Sequence, residues 1–241
     1  TKAAFAFSDE DQFSNAVQAV AIHDDKVWVG SVRGLYVLDG NRWQNHTVET
    51  TSLRDVRTII EGQNSNQLVV GSWLSGLHRF VAGVHIPDQS FQERIVAMTR
   101  SPDNTLWAAT IDAIYYKKNE TSAWQIVQPA AAEHIGSEII HAILFQPVSE
   151  PTGEIVETVW VGTSNGLWRY RPDYELWDRI TGDIDQISVE ALAVDPITNH
   201  LWVCSRRGLF NDHEWGCFLR EFDFRSLAFG PDGTLWIGTR S

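Results

Sequence analysis

The chain has little sulfur and no long apolar segment. Its 241 residues include two cysteines and one methionine. Cys204 and Cys217 fall in the second and fourth strands of one predicted sheet, roughly 9–10 Å apart at two strand spacings. That separation exceeds the reach of a disulfide, so we expect two free thiols, with Cys204 buried. No apolar run approaches the roughly 20 residues of a spanning helix, so we expect no membrane insertion.

The chain is also poor in basic residues. It has 19 Lys and Arg against 31 Asp and Glu, a formal net charge of −12. Because phosphate groups repel a net negative protein, this balance argues against nucleic acid and an anionic membrane surface as partners. We expect the partner to be a small polar ligand or another protein, and the chain to be a monomer.

A short phrase, in its fullest form an apolar residue, Trp, an apolar residue, Gly and Ser or Thr, recurs six times. The copies occupy residues 27–31, 68–72, 106–110, 159–163, 201–205 and 235–239. Their second positions, at 28, 69, 107, 160, 202 and 236, follow one another at steps of 34 to 53 residues. A period near forty residues, built from strands and turns, is typical of propeller blades.

The fourth copy shows the content of one repeat. Four β-rich segments are separated by turn residues, and none has a sustained helical period. Asn165-Gly166 supplies the positive φ that a tight hairpin requires. An insertion at residues 146–157 is acidic, contains two prolines and is predicted to be a surface loop.

The sequence therefore predicts an all-β fold, a six-bladed β-propeller with four-stranded antiparallel blades. The last copy has only two strands, so residues 1–15 are expected to complete the blade begun by residues 225–241. Such closure would remove an open sheet edge. Residues 1–241 are then a single β-propeller domain.

The repeated tryptophans are Trp28, Trp107, Trp160, Trp202 and Trp236. Each lies between apolar neighbours in the second strand of its blade. There an aromatic side chain packs against the next blade. We therefore predict a structural role for these residues rather than stacking on a ligand.

The turn between the second and third strands is the variable part of the repeat. In propellers these turns and the connections between blades share one face, which commonly holds the ligand. The ligand-binding candidates are Arg33, Trp73, Asp112, Asn165, Arg206, Arg207 and Arg240. A group of guanidinium groups with an exposed Trp suits an anionic or carbohydrate ligand. The alternative is a set of scattered, solvated arginines that pair with nearby acids.

Catalytic and metal-binding patterns are missing from the sequence. The eight histidines have no metal-ligand spacing, and His141, in a first strand, is predicted to be a satisfied core or channel residue. No nucleophile elbow, phosphate-binding loop or dinucleotide fingerprint is present. We predict no catalytic residues, no metal site and no cofactor.

The stretch Val-Trp-Val-Gly-Thr-Ser-Asn-Gly-Leu-Trp-Arg-Tyr-Arg-Pro-Asp, residues 159–173, resembles the two-component regulator propeller repeat. Residues 27–38 and 235–239 also match, and the resemblance covers most of the chain. Such repeats occur in bacterial sensor proteins. The resemblance implies a periplasmic or extracellular ligand-sensing module, which in some members binds carbohydrate fragments.

Three functional classes follow from these observations. The first is a non-enzymatic binding or sensory propeller that recognises a small polar, anionic or carbohydrate ligand at its channel-mouth face. The second is a protein–protein interaction scaffold that uses a broad face. The third is a carbohydrate-active hydrolase or lyase, which would need convergent carboxylates or a histidine–acid set. Because the variable turns lack such a set, we expect the first class.

Overall fold

The computed structural model describes residues 17–40, 42–46, 53–127, 138–213, 215–220 and 222–239. The chain divides between Met98 and Thr99 into two compact units. Within the described ranges, the helical content is a 3-10 turn at Pro172–Tyr174, and no helix is long and apolar enough to cross a membrane.

The first unit contains two antiparallel sheets of four strands in sequential order. The first sheet comprises β1 (Val17–His23), β2 (Lys26–Ser31), β3 (Gly34–Asp39) and β4 (Arg42–Asn45). The second comprises β5 (Val56–Glu61), β6 (Gln67–Ser72), β7 (Gly76–Val81) and β8 (Val84–Pro87). Each sheet is the sequential meander of a propeller blade.

The remaining strands form three more four-stranded sheets and one hairpin. The third sheet comprises β9 (Ala97–Arg100), whose strand crosses the division, β10 (Leu106–Ala109), β11 (Ile114–Lys117) and β12 (Gln125–Val127). The fourth comprises β13 (Ile140–Ser149), β14 (Ile155–Thr163), β15 (Gly166–Arg171) and β16 (Leu176–Arg179). The fifth comprises β17 (Val189–Val194), β18 (Leu201–Ser205), β19 (Gly208–Asn211) and β20 (Cys217–Arg220). The hairpin comprises β21 (Phe224–Phe229) and β22 (Leu235–Thr239).

The blade count is five, so the prediction of six four-stranded blades is wrong, whereas the all-β propeller class with antiparallel four-stranded blades is confirmed. The sixth copy supplies only the β21–β22 hairpin, and no described residue adds the two further strands that a full blade needs. Residues 1–15, which were expected to do so, lie outside the described residues.

The prediction of a surface loop at residues 146–157 is also wrong. Instead of a loop, the insertion lengthens β13 and β14 into one hairpin, paired from Gln146 with Thr158 to Ser149 with Ile155. Its acidic, proline-containing composition indicated a loop, but Gln146 and Val156 are buried. The Gln146 side chain accepts a hydrogen bond from the Trp160 indole at 2.8 Å, so the hairpin packs on the core through this pair.

The core lies between neighbouring blades, as predicted from the repeated tryptophans. Trp28, Trp107 and Trp160 are 6%, 4% and 3% exposed, and Trp202 is half-buried. Trp236, in contrast, is 67% exposed, so the packing prediction is wrong for this copy. Trp236 belongs to the two-stranded hairpin, and the described residues place no sheet over its ring.

The glycine of the repeated phrase lets the next blade approach. A Cβ on Gly162 would lie 2.4 Å from Val189 Cγ1, and one on Gly30 would lie 2.5 Å from Val56 Cγ1. Copy five carries Cys204 at this place, fully buried. Cys204 and Cys217 are both free thiols, as predicted.

The first strand of five sheets carries a β-bulge at the same place. The register shifts fall between 17 and 19, 56 and 58, 140 and 142, 189 and 191, and 224 and 226. The residue inside each bulge is polar: Gln18, Arg57, His141, Glu190 and Arg225. A bulge changes the direction in which a side chain points. These five side chains therefore do not follow the regular alternation of the strand.

Candidate functional site

Within each unit, the variable turns and the connections between blades lie at the same edge of the sheets. In the first unit, the Asp55 amide donates to Val32 O at 2.9 Å, and the Trp73 amide donates to Asp55 O at 2.9 Å. The second unit repeats this pattern, since the Ile140 amide donates to Ile111 O at 2.9 Å. The turns are therefore held beside the connections, as the sequence predicted.

The Ser or Thr that ends the repeated phrase shapes each turn. The Ser205 hydroxyl accepts the Arg207 amide at 3.0 Å and donates to Gly208 O at 3.1 Å. Ser31 makes the same bonds to Arg33 and Gly34 in the first blade. In these two copies the phrase thus builds a hydrogen-bonded turn that presents two variable side chains.

A pocket of about 490 Å³ lies beside one of these turns in the second unit. It is lined by Asp183, Ile187, Arg206, Arg207, Phe210, Cys217 and Arg220. Its volume is within the roughly 300–1,000 Å³ range of small-molecule sites. Three guanidinium groups around one pocket make it a candidate anion-binding site.

Backbone geometry brings these residues together. Arg206 and Arg207 form the β18–β19 turn, and Arg220 pairs with Gly208 across β19 and β20. Gly208 has φ +154°, and a Cβ there would lie 2.2 Å from Cys217 Sγ and 2.5 Å from Leu219 O. Only glycine allows β20 to approach the turn this closely, so Gly208 lets Cys217 and Arg220, which line the pocket, lie beside the turn.

Two of the three arginines have carboxylate partners. Arg206 Nε lies 2.9 Å from Glu190 Oε1, and Glu190 also binds Arg225 at 3.1 Å. Arg220 lies 3.5 Å from Asp183, with both side chains largely exposed, so this pair is weak. The Arg207 side chain has no ion-pair partner among the described residues and is exposed. The pocket therefore keeps an excess of positive charge.

The other predicted ligand residues lie in other turns. Arg33 and Trp73 occupy the corresponding turns of the first unit, and Asp112 lies in the β10–β11 turn, where its carboxylate accepts the Thr110 hydroxyl at 2.9 Å. Arg240 lies outside the described residues. Of the predicted set, Arg206 and Arg207 share the pocket.

Asn165 is part of a buried network rather than a free turn residue. Its amide donates to Glu138 Oε1 at 2.9 Å. The same carboxylate accepts the Trp168 indole at 2.8 Å and the Thr163 hydroxyl at 2.7 Å, and Arg179 lies 3.4 Å away. Because its contacts are internal, we assign Asn165 a structural role in its turn.

Sequence reasoning missed Arg220, Asp183 and the bulge residue Glu190. Arg220 ends a strand whose pattern is degenerate in this copy, and the register shift between Leu209 and Phe210 prevents regular counting from placing it opposite Gly208. Glu190 resembles an ordinary strand residue in the sequence, and no local pattern marks the bulge that turns it toward Arg206.

His141 is another bulge residue with an internal partner. Its Nδ1 lies 3.0 Å from Val189 O and 3.4 Å from the Ser188 hydroxyl, which itself donates to Glu190 at 3.0 Å. An imidazole that donates Nδ1–H to a carbonyl is held in one tautomer. This satisfied histidine matches the prediction from the sequence. Within the described residues, no group of three or more His, Cys, Asp or Glu is arranged to hold a metal ion.

Comparison with solved structures shows similarity to propellers from signalling proteins. The extracellular domain of BT4673 from B. thetaiotaomicron, assigned to a hybrid two-component system, superposes with a TM-score of 0.74 at 20% identity. The match covers 97% of this chain and 31% of that domain. The corresponding domain of BT3049 from the same organism gives 0.68 at 15% identity, over 94% of this chain and 32% of that one. This chain thus spans about a third of those domains.

A third similar structure is YCF48 bound to D1 peptide, with a TM-score of 0.68 and 16% identity. The match covers 93% of this chain and 74% of YCF48. No protein-family model matches the chain, and no curated protein does. At these identities the likeness shows the fold alone. It includes extracellular domains of two-component systems, the class that the repeat resembles.

Proposed function

We propose that this chain is a non-enzymatic binding or sensory module that takes a small anionic ligand, such as an acidic sugar, in the pocket beside Arg206 and Arg207. The observation that carries the proposal is a pocket of about 490 Å³ with three guanidinium groups on a net acidic chain. Guanidinium groups bind carboxylates and phosphates through paired, charge-assisted hydrogen bonds.

The pocket also has an apolar side that suits a ring. Phe210 is 1% and Ile187 is 7% exposed, so both belong to the core and form a rigid wall. An apolar wall with a few converging polar groups is the usual composition of a small-molecule site. The extracellular sensor domains and the peptide complex among the similar structures support a binding role for this fold.

Cys217 provides a natural reporter for the pocket. It lines the cavity, and its thiol is half-buried, whereas Cys204 is fully buried. Burial raises the pKa of Cys204 to about 12, which keeps that thiol protonated and unreactive. Alkylation by iodoacetamide therefore reports on Cys217 alone.

The test measures the rate of Cys217 alkylation with increasing D-glucuronate, with D-glucose as the neutral match. We expect glucuronate to slow the reaction more than glucose, and Arg207→Glu to weaken this protection about tenfold or more, as expected for one lost charge-assisted bond. Arg33→Glu, the same change in the corresponding turn of the first unit, is the control and should leave protection unchanged. The proposal fails if glucuronate and inorganic phosphate give no protection, or if both variants weaken it equally.

The second candidate function is a protein-interaction scaffold. It is favoured by the basic, aromatic turn around Trp73 in the first unit.

A further inference from the structure

The turn between β6 and β7 differs from the other variable turns of the repeat. It has three residues, Trp73, Leu74 and Ser75, where the corresponding turns have two. Leu74 is 62% exposed and Trp73 is half-buried. Loops that a rigid scaffold positions often carry binding residues.

Two arginines flank the Trp73 ring. The Arg57 guanidinium carbon lies 5.2 Å from the ring centroid, and that of Arg94 lies 5.5 Å away. Both distances are within the range of cation–π attraction. Arg57 is the bulge residue of β5, and Arg94 comes from the connection after β8. Three separate segments therefore converge on this indole.

The positive charge around Trp73 is only partly balanced. Asp55, a buried carboxylate, binds Arg57 with N–O distances of 2.8 and 3.1 Å. Arg94 and Arg54 are exposed, and neither has an ion-pair partner among the described residues. Glu93 is also exposed, and Asp88, in the same connection, lies 3.7 Å from Arg79. The guanidinium groups of Arg94 and Arg54 thus remain accessible to an anionic ligand.

The corresponding positions of the fifth blade show a different balance. There the bulge residue is Glu190, the turn residue is Arg206 and the following connection supplies Asp223. Arg225 binds both carboxylates, at 3.1 and 2.8 Å, so Glu190, Asp223, Arg206 and Arg225 pair with one another, whereas Arg207 in the same turn has no ion-pair partner among the described residues. In the second blade the bulge residue is instead a cation, Arg57, which pairs with Asp55, and Arg94 beside the indole has no ion-pair partner among the described residues.

Hydrogen bonds to the Ser72 hydroxyl hold the turn in one conformation. The Ser72 hydroxyl accepts the Leu74 and Ser75 amides, each at 3.1 Å, and the Ser75 hydroxyl at 2.9 Å. Ser75 Oγ lies 2.7 Å from His78 Nε2, and His78 is 2% exposed. A preorganised turn loses little entropy when a ligand binds.

We propose that Arg94, Arg57, Trp73 and Leu74 form a second binding site, which takes an acidic peptide segment with an apolar residue beside its carboxylates. Carboxylates of the peptide bind the guanidinium groups of Arg94 and Arg57, and its apolar side chain packs on Leu74 and the Trp73 ring. The surface is an open turn, which suits an extended segment of another protein. This site lies in the first unit and does not depend on the pocket at Arg207.

The test uses fluorescence anisotropy with a short labelled peptide of alternating glutamate and leucine. We expect saturable binding that weakens with added salt. Arg94→Glu should weaken it about tenfold or more, through the loss of one charge-assisted contact and the new repulsion. Trp73→Ala, which leaves Arg94 unchanged, should also weaken peptide binding. Arg42→Glu, on the outer strand β4 of the same unit, is the matched control and should change binding less than about twofold.

Two further peptides and one further variant make the result decisive. Peptides of alternating glutamine and leucine, or of glutamate alone, should bind more weakly than the mixed peptide. Arg207→Glu should leave peptide binding unchanged, which separates this site from the pocket. The proposal is overturned if the mixed peptide does not bind, if Arg42→Glu is as damaging as Arg94→Glu, or if either reference peptide binds equally well.

Discussion

Replacing the buried histidine His78 should reduce the dependence of stability on pH. Its Nδ1 lies 2.9 Å from His85 Nε2, and its Nε2 lies 2.7 Å from the Ser75 hydroxyl. Burial, followed by the neighbouring His85, lowers the pKa of His78 from 6.5 to about 4, partly opposed by Ser75 and Asp88. The folded state therefore favours the neutral imidazole.

The sign and size of the effect follow from linkage. The pKa of His78 is lower in the folded state than in the unfolded state. Its contribution to the free energy of unfolding is therefore complete above pH 6.5 and is lost as the pH falls toward 4. A shift of this size corresponds to about 3 kcal/mol of unfolding free energy, at about 1.36 kcal/mol per unit. About 2.5 kcal/mol of it should be lost between pH 7.5 and pH 4.5.

The measurement is urea unfolding of the wild type and of His78→Gln across that pH range. The Gln amide can still donate to Ser75, but it does not titrate. All carboxylates are common to both proteins, so the difference between their pH profiles isolates His78. We expect His78→Gln to lose about 2 kcal/mol less than the wild type on acidification. His213→Gln, at an exposed histidine, should follow the wild type. Parallel profiles for wild type and His78→Gln would refute the reasoning.

Two further predictions concern stability. Trp160→Ala should lower the free energy of unfolding by about 3–5 kcal/mol because it leaves a cavity in the core. Trp236 occupies the same repeat position but is 67% exposed, so Trp236→Ala should cost less than about 1 kcal/mol. Equal losses for the two variants in urea unfolding would contradict the burial pattern. Glu138→Ala should cost about 1–3 kcal/mol because it removes the buried acceptor of the Trp168 indole and of the Asn165 amide. Glu154→Ala, which removes an exposed carboxylate bonded to a tyrosine, should stay within about 0.5 kcal/mol, and calorimetry of both variants tests this contrast.

Much of the blade structure could be predicted from the sequence because its signals are local. The phrase around Trp160 is a continuous apolar run, ends in a Thr that shapes the turn, and is followed by Asn165-Gly166. The register of β14 with β15 follows from that turn. The repeat also located the three buried tryptophans and the half-buried Trp202, since an aromatic side chain between apolar neighbours in a second strand packs against the next blade.

The candidate sites were only partly predictable. The variable turn slot pointed to Arg206, Arg207 and Trp73, because turns carry the residues that the core does not constrain. It also pointed to Asn165, which the structure places in the Glu138 network. A polar residue in a turn has the same sequence signature whether it faces a ligand or a buried carboxylate.

By itself, the sequence determined most of the strands, the turns and the class of fold, because apolar runs and turn chemistry act over a few neighbouring residues. Only the tertiary structure decided which side chains meet. It placed Arg57 and Arg94 on Trp73, brought Arg220 to the turn of Arg207, extended residues 146–157 as a hairpin and left Trp236 exposed. These outcomes depend on bulges, register and the presence of a neighbouring sheet, which arise from pairing between segments far apart in the chain.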